Sequence, residues 1–235
     1  MKRQGLAEGQ WERLKDLLPP EKPKHGGRLG KSNRILLNGI LYWLNTGIPW
    51  RDLPERYGPW KSVYTRFHRW RCQGVWKHVF QELTVQDILD ETALMPGSTI
   101  IKVRQHGGRA KKGGEEALGC SRGGLTTKVR AVVDGLGNPL RLMRSPGNRN
   151  DICYAWELLE PYDLQGRYVT ADKGYDSGSF VEWLKKRGAI VVIPSRRTAK
   201  HPRSIDRHIY LERYWVGNLF LELKVHRRFS TRYEK

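Results

Sequence analysis

The first third of the chain carries the hydrophobic spacing of amphipathic helices. Apolar residues recur every three or four positions across residues 6–18 and 33–45, and proline or glycine follows each stretch. A short helical turn is predicted at 49–53, a loop at 54–59, and a further helix from Lys61. Helix, short helix, turn and helix in this order are typical of an all-α helix-turn-helix unit.

From Ser98 onward the pattern changes to short apolar runs that alternate with helical segments. Strands are predicted at 99–103, 126–134, 139–145, 167–172 and 189–194, and helices at 151–159, 178–187 and 209–228. Asp151 is expected to cap the first of these helices. The order of elements predicts an α/β domain with a mixed sheet and one hairpin edge. We therefore predict two domains, 1–86 and 87–235, with a junction near 84–96.

A large excess of positive charge runs through both predicted domains. The formal net charge is +19 at pH 7, and Lys and Arg exceed Asp and Glu by 9 in residues 1–86 and by 10 in the remainder. A folded chain with such a field attracts polyanions, of which nucleic acid is the leading candidate. The charge alone leaves two alternatives open, a ribosome-associated protein and a membrane-surface protein.

The helix that opens at Lys61 concentrates this charge on one face. Its apolar residues Val63, Phe67 and Trp70 are predicted to point inward. The residues predicted to face outward and to contact DNA are Lys61, Tyr64, Arg66, Arg69 and Arg71. Arg can contact base edges or phosphates, and Tyr can stack on bases or bind phosphate. The alternative is a basic face that is only hydrated.

Other features of the sequence exclude several classes of protein. The chain has no apolar run of about 18 residues and no apolar leader after Met1, so we expect a cytoplasmic, nucleoid-associated protein without a membrane partner. Three widely separated cysteines without C-x-x-C spacing argue against a disulfide framework and a zinc site. Gly26–Ser32 is one residue short of a phosphate-binding loop, and no strand precedes it.

One acidic residue lies where α/β sheets usually carry their chemistry. Residues 168–170 favour a strand that leads to Asp172, and Lys173-Gly174 then breaks the run. Asp172 is therefore expected at the C-terminal end of a strand. In a chain this basic, a carboxylate there suggests a metal site that acts on phosphates. The simpler alternative is an Asp that caps the next turn.

Several short motifs follow one another along nearly the whole chain. They are Asn38–Leu41, Thr46–Pro54, Tyr57–Trp60, Ser121–Lys128, Asp134 with Gly137–Pro139, Ala171–Asp176, Ile193-Pro194, and the spacing of Tyr210, Arg213, Gly217 and Lys224. Together they resemble the DDE transposases of bacterial insertion sequences, specifically the insertion-sequence five family. The resemblance implies an RNase H-like mixed-sheet catalytic domain behind an all-α helix-turn-helix DNA-binding domain. It also implies that a homodimer or larger assembly binds double-stranded DNA, at terminal inverted repeats and at target DNA.

The resemblance further implies metal-assisted phosphodiester hydrolysis and strand transfer, in which three carboxylates hold two Mg²⁺ or Mn²⁺ ions. Carried over position by position, the second carboxylate is Asp172, while the first and third positions hold Gly97 and Gly217. Glu212 and Glu222 are about 140° round the last helix from position 217 and cannot substitute. Since hard ions need several oxygens, we expect weak or absent metal binding at Asp172.

The sequence thus supports two functions of different kinds. The first is an insertion-sequence transposase whose DNA cleavage and strand transfer are impaired by Gly97 and Gly217. The alternative is a catalytically inactive, transposase-derived DNA-binding protein, either a relic or a repressor. In both, the resemblance implies phosphate contacts from Lys173, Arg213 and Lys224, which would otherwise be hydrated surface cations. Family members usually continue with a further apolar segment, so a C-terminal truncation is expected.

Overall fold

The chain divides into two compact units. The computed structural model describes residues 5–21, 31–86, 90, 92–104 and 117–232. The first unit comprises residues 1–87 together with Val225–Arg228, and the second comprises residues 88–224 and 229–235. The predicted motif Gly26–Ser32 lies largely outside the described residues. Among those that are described, no helix is both long enough and apolar enough to cross a membrane.

The described part of the first unit is helical. Its helices are α1 (Glu8–Lys15), α2 (Asn33–Thr46), α3 (Trp60–Cys72) and α4 (Val75–Gln86), with 3-10 turns at Trp50–Asp52 and Glu55–Tyr57. These bounds agree with the predicted helix, short helical turn, turn and helix to within a few residues. The agreement arises because the apolar spacing and the terminating Gly and Pro residues are local signals.

The core of this unit is rich in aromatic side chains. Leu36 and Ile40 of α2 are 2% and 1% exposed, and Val63 and Trp70 of α3 are fully buried, the latter two as predicted. Trp43 stacks on Trp50 with ring centroids 4.0 Å apart. Burial of each large apolar side chain contributes roughly 1.5–3 kcal/mol, so these contacts hold the short helices together.

The second half of the chain forms the predicted mixed α/β domain. Its strands are β1 (Ala93–Val103), β2 (Gly119–Ser121), β3 (Gly124–Val133), β4 (Pro139–Pro146), β5 (Tyr168–Thr170), β6 (Ile190–Val192) and β7 (Thr231–Arg232). Its helices are α5 (Ala155–Leu159), α6 (Gly178–Lys186), α7 (Arg207–Leu211), α8 (Tyr214–Val225) and α9 (Arg227–Ser230), with 3-10 turns at Asp151–Tyr154 and Lys173–Tyr175.

Strand β1 is the centre of the sheet. It pairs antiparallel with β3 on one side and parallel with β5 on the other, and β6 extends the sheet in parallel beyond β5. Both β2 and β4 pair antiparallel with β3, and β7 pairs in parallel with the end of β1. The β3–β4 hairpin confirms the predicted hairpin edge, while β2 and β7 were not predicted.

The two faces of β1 contribute to different cores. Leu94 packs in the core that contains α5 and α6, whereas Ala93 and Met95 pack in the core that contains Val216 and Phe220 of α8. Because side chains alternate along a strand, a side chain at position 97 would also point towards α8.

Two predicted boundaries were wrong. Strand β1 begins at Ala93 rather than at Thr99, so residues 93–96, the last four of the predicted junction, are buried inside the sheet. The single helix predicted over 209–228 is three helices. Its first interruption is a tight turn, since the amides of Arg213 and Trp215 donate to carbonyls only three residues earlier.

Candidate active site and nucleic-acid surface

Asp172 is the second residue after the end of β5, where the sequence predicts the C-terminal end of a strand. Its Oδ1 accepts a hydrogen bond from the Gly174 amide at 2.8 Å, and this bond caps the 3-10 turn Lys173–Tyr175. The side chain is half-buried. The residue therefore caps the next turn, as the simpler of the two alternatives states. Its other carboxylate oxygen has no hydrogen bond to a described residue.

Gly97 lies on the strand beside β5. The parallel register of β1 and β5 pairs Ala93 with Tyr168 and Leu94 with Val169. If the same register is continued three residues beyond Leu94 and Val169, Gly97 lies level with Asp172.

Helix α8 packs against the same point of β1. A Cβ built on Gly97 would lie 2.8 Å from both methyl carbons of Val216, the residue before Gly217. A Cβ built on Gly217 would meet nothing within 4 Å. The helix thus touches β1 at position 97 through Val216, and a side chain at position 217 would extend into open space beside that contact.

A second carboxylate near Asp172 was missed by the sequence analysis. The Oδ2 atom of Asp151 and the Oδ1 atom of Asp172 lie 3.9 and 2.8 Å from the point that a Cβ on Gly174 would occupy. Asp151 does not cap a helix as predicted, because Oδ1 pairs with Lys128 Nζ at 3.2 Å and with Arg130 at 3.4 Å. These two cations neutralise Asp151, which makes it a poor ligand for a metal cation.

Arg130 anchors this network inside the domain. Its guanidinium is fully buried, donates to the Ser145 hydroxyl and to the carbonyls of Arg149 and Asn150, and lies 4.2 Å from the Tyr154 ring centroid. A buried charge needs such partners because its desolvation is costly. The partners come from β4, from the loop that follows it and from the 3-10 turn Asp151–Tyr154, so no local spacing in the sequence could have indicated the network.

Tyr175 completes the buried side of the Asp172 turn. Burial raises the pKa of the Tyr175 phenol above its usual value, and the nearby Asp151 raises that pKa further. Its hydroxyl is buried without a hydrogen-bond partner among the described residues. Tyr175 is therefore neutral at physiological pH and packs in the core with Phe180.

The residues around Asp172 do not fit the two-metal centre that the family resemblance implies. Over the ranges that the structure describes, no group of three or more His, Cys, Asp or Glu side chains converges. Asp172 brings a single carboxylate, and Asp151 is engaged by two cations. Mg²⁺ prefers an octahedral set of oxygen ligands, so we assign no metal-dependent step to this arrangement.

Most of the predicted contact residues of α3 lie on its outer face. Lys61, Arg69 and Arg71 are exposed, and Tyr64 is 41% exposed. Arg66 was expected to face outward, yet it is half-buried and donates to Asn33 Oδ1 of α2 at 2.7 Å. Burial, with a contribution from Arg69, lowers the pKa of Arg66. Arg66 therefore connects α3 to α2.

The three cations predicted to contact phosphate in the second half of the chain differ in exposure. Lys173 is exposed, whereas Arg213 and Lys224 are half-buried. The Arg213 guanidinium lies 5.6 Å from the Tyr210 ring centroid, which is within the range of a cation–π contact. Lys173 is thus the most accessible of the three to a DNA strand.

Comparison with known families identifies the class. The family model described as transposase DDE domain matches residues 98–230, a stretch that begins directly after Gly97 and includes Asp172 and Gly217. Since this match covers more than half of the chain, the protein belongs to the transposases with a DDE domain. A second family model, described as putative transposase of the IS4/5 family, matches residues 6–80 and relates the chain to insertion-sequence transposases.

The chain is also similar to individual proteins. The chain is 39% identical over 113 residues to the uncharacterised protein y4sN of Sinorhizobium fredii. The matched stretch covers 47% of this chain and 87% of that protein. It is 36% identical over 115 residues to a putative transposase for insertion sequence element IS6501 of Brucella ovis, with coverages of 47% and 85%. Among solved structures it is similar to piggyBac transposase in a synaptic complex with hairpin DNA, at 12% identity and a TM-score of 0.44, over 77% of this chain and 46% of that chain.

Proposed function

We propose that the protein is an insertion-sequence transposase that binds double-stranded DNA and whose strand cleavage and transfer are impaired. Family membership supports the transposase origin. The net charge of +19 and the exposed basic face of α3 support DNA binding in a helix-turn-helix manner, at terminal inverted repeats and target DNA. The order of β3, β1, β5 and β6 in the sheet is consistent with an RNase H-like catalytic domain.

The observation that carries the proposal is the approach of α8 to β1 beside Asp172. In this arrangement the first family position, Gly97, is level with Asp172 and touches Val216, which adjoins the third position, Gly217. A catalytic set at this place would need carboxylates at both glycines. Losing them removes several kcal/mol of transition-state stabilisation, which corresponds to about a thousandfold or more in rate.

A cleavage assay tests this proposal. A supercoiled plasmid that carries the DNA flanking the coding region is incubated with Mn²⁺ and either the unaltered chain or Asp172→Ala. We expect both proteins to bind the plasmid and both to nick it at the same background rate. Nicking that Asp172→Ala abolishes would overturn the proposed impairment, and failure of the unaltered chain to bind duplex DNA would overturn the proposed function.

The alternative is an inactive DNA-binding protein, either a relic or a repressor. The close contact between Gly97 and Val216 favours it, because the packing leaves no room for an acidic side chain at the first position. A reporter gene placed behind the flanking DNA distinguishes a repressor from a relic. Repression that Asp172→Ala leaves intact indicates a repressor, whereas a relic leaves the reporter unchanged.

A further inference from the structure

A cleft with positively charged walls lies at the beginning of α3, in the first unit. Its volume is about 390 Å³, and its walls include Lys31, Arg51, Gly58 and Trp60, with Glu55 the acidic residue among those that line it. A volume of this size accommodates a small ligand group. Arg51, Gly58 and Trp60 are not among the predicted DNA contacts, whereas Lys31 belongs to the segment Gly26–Ser32, whose basic residues favour contacts to the DNA backbone.

Gly58 determines where the Lys31 side chain lies. Gly58 adopts φ +93°, which glycine tolerates best, and so closes the turn that precedes α3. It also leaves space for Lys31, whose Cδ and Cε lie 2.8 and 2.9 Å from the position that a Cβ on Gly58 would occupy, with Nζ closer still. The Lys31 ammonium group is thereby placed over the backbone that leads into the helix.

Arg51 and one further cation, Lys61, flank the Trp60 ring of the cleft. Arg51 Cζ lies 6.0 Å and Lys61 Nζ 5.9 Å from the Trp60 ring centroid, both within the outer range of cation–π contacts. Within the described ranges, the ion pairs involve neither these two cations nor Lys31. Lys31, Arg51 and, at the rim, Lys61 thus bring three positive charges to the cleft against the single negative charge of Glu55, and no ion pair among the described residues neutralises them.

The N-terminus of α3 adds to the positive electrostatic field of the cleft. The helix follows Pro59, whose side chain provides no cap. The Pro59 carbonyl accepts the amides of Ser62 and Val63, so the amides of Trp60 and Lys61 are the ones without an acceptor among the described residues. The N-terminus of a helix carries a partial positive charge, which repels cations and attracts anions. A bound anion would offset the repulsion among the three lysine and arginine side chains gathered there. Phosphate matches both these charges and the free amides.

We propose that this cleft binds a backbone phosphate of duplex DNA through Lys31, Arg51, Lys61 and the first amides of α3. The inference rests on the proposed DNA-binding function and adds a contact beyond the outer face of α3. A phosphate held there sets the position of α3 along the duplex and carries no sequence information of its own.

The test measures how DNA affinity depends on salt. The full chain is titrated against a fluorescent duplex of about 30 base pairs between about 50 and 200 mM salt, and log K is plotted against log salt. Arg51→Ala and Lys31→Ala are each expected to reduce the slope by about one and to weaken binding about tenfold, because each removes one phosphate contact. Arg51→Lys should keep the slope, since it keeps the charge.

Lys15→Ala is the matched control. It removes the same charge from the same unit, but Lys15 already pairs with Glu12 at 2.5 Å, so the slope should not change. Circular dichroism of each variant verifies that the helices are intact, and Arg51→Lys provides the comparison if Arg51→Ala is less stable.

The possible outcomes distinguish failure of the cleft proposal from failure of the DNA-binding proposal. If Arg51→Ala and Lys31→Ala have the slope of the unaltered chain while Arg69→Ala reduces it, the cleft proposal is overturned and the DNA-binding proposal stands. If the unaltered chain does not bind the duplex, both are overturned. Binding of heparin but not of the duplex, with the same loss in Arg51→Ala, would assign the cleft to another polyanion and also overturn the inference.

Discussion

At Gly97 the absence of a side chain determines how closely α8 approaches the sheet. The methyl carbons of Val216 lie 2.8 Å from the position of a Cβ at residue 97, closer than packed side-chain atoms come to one another. Val216 is 3% exposed, so it cannot simply turn into solvent. The absence at position 97 of the carboxylate that the family resemblance implies is therefore also a feature of the packing, and introducing an acidic side chain there requires the helix or Val216 to move.

Gly97→Asp is expected to lower the free energy of unfolding by about 1–3 kcal/mol, because the new side chain overpacks the contact with Val216. Adding Val216→Ala should recover part of this loss by providing space. Urea denaturation of the single and double variants measures both effects. Val216→Ala alone is the control, and a Gly97→Asp variant as stable as the unaltered chain would contradict the close packing.

Residue-scale prediction from sequence succeeded where the signal was local. Asp172 could be placed at a strand end because the strand residues before it and Lys173-Gly174 after it are adjacent in the chain. Asp151 could not be recognised as a neighbour, since its partners Lys128 and Arg130 precede it by more than twenty residues and meet it only in the folded sheet.

Among the elements, the segment after β6 is fixed to the turn that follows Asp172. The Asp176 carboxylate accepts the Arg196 amide at 2.6 Å and pairs with the Arg203 guanidinium, whose Nε donates to the Ile193 carbonyl at 3.2 Å. Burial by itself raises the pKa of Asp176, but the bonds from Arg203 and Arg196 outweigh it and hold the pKa below its usual value.

Asp176→Asn should therefore destabilise the second unit in a pH-dependent way. Because the folded pKa is depressed, the stabilisation is present above the unfolded pKa of about 3.9 and is lost as pH falls through the folded value. We expect the variant to be less stable near neutral pH and to approach the unaltered chain in acid. Urea denaturation across the pH range measures this, with the exposed Asp52→Asn as control, and a pH-independent difference would refute the assignment.

The misplaced element boundaries have identifiable physical causes. Pro96 was placed in the predicted junction, yet it lies within β1 opposite Val132, because the antiparallel pairing with β3 carries the strand through it. The apolar spacing continues through Arg213, so the tight turn between α7 and α8 leaves no trace in the pattern. The hairpin of β3 and β4 was predictable since Asp134 and Asn138 mark its turn.

For the whole molecule, the notable feature is that the first unit is discontinuous in sequence. Its last piece is Val225–Arg228, where Arg228 donates to the Ile48 carbonyl at 2.5 Å and its guanidinium lies 4.4 Å from the Trp43 ring centroid. Arg228 and Ile48 are 180 residues apart along the chain, so no local pattern could predict the contact.

Arg228→Ala is expected to lower the free energy of unfolding of the first unit by about 1–2 kcal/mol, because it removes a cation–π contact and a charge-assisted hydrogen bond. Near-ultraviolet circular dichroism follows the tryptophan-rich core during urea denaturation. The exposed Arg207→Ala carries the same charge change and should leave the transition in place. An unchanged transition in Arg228→Ala would show that this segment does not stabilise the unit.

The late position of Val225–Arg228 also means that the first unit can be completed only near the end of translation. A ribosome adds about 5–20 residues each second, so the N-terminal helices wait on the order of ten seconds for the arginine that covers Trp43. A nascent chain that terminates early, anywhere within the sheet, leaves its opening helices without that final piece. Only polypeptides translated past Arg228 can assemble the tryptophan core in full.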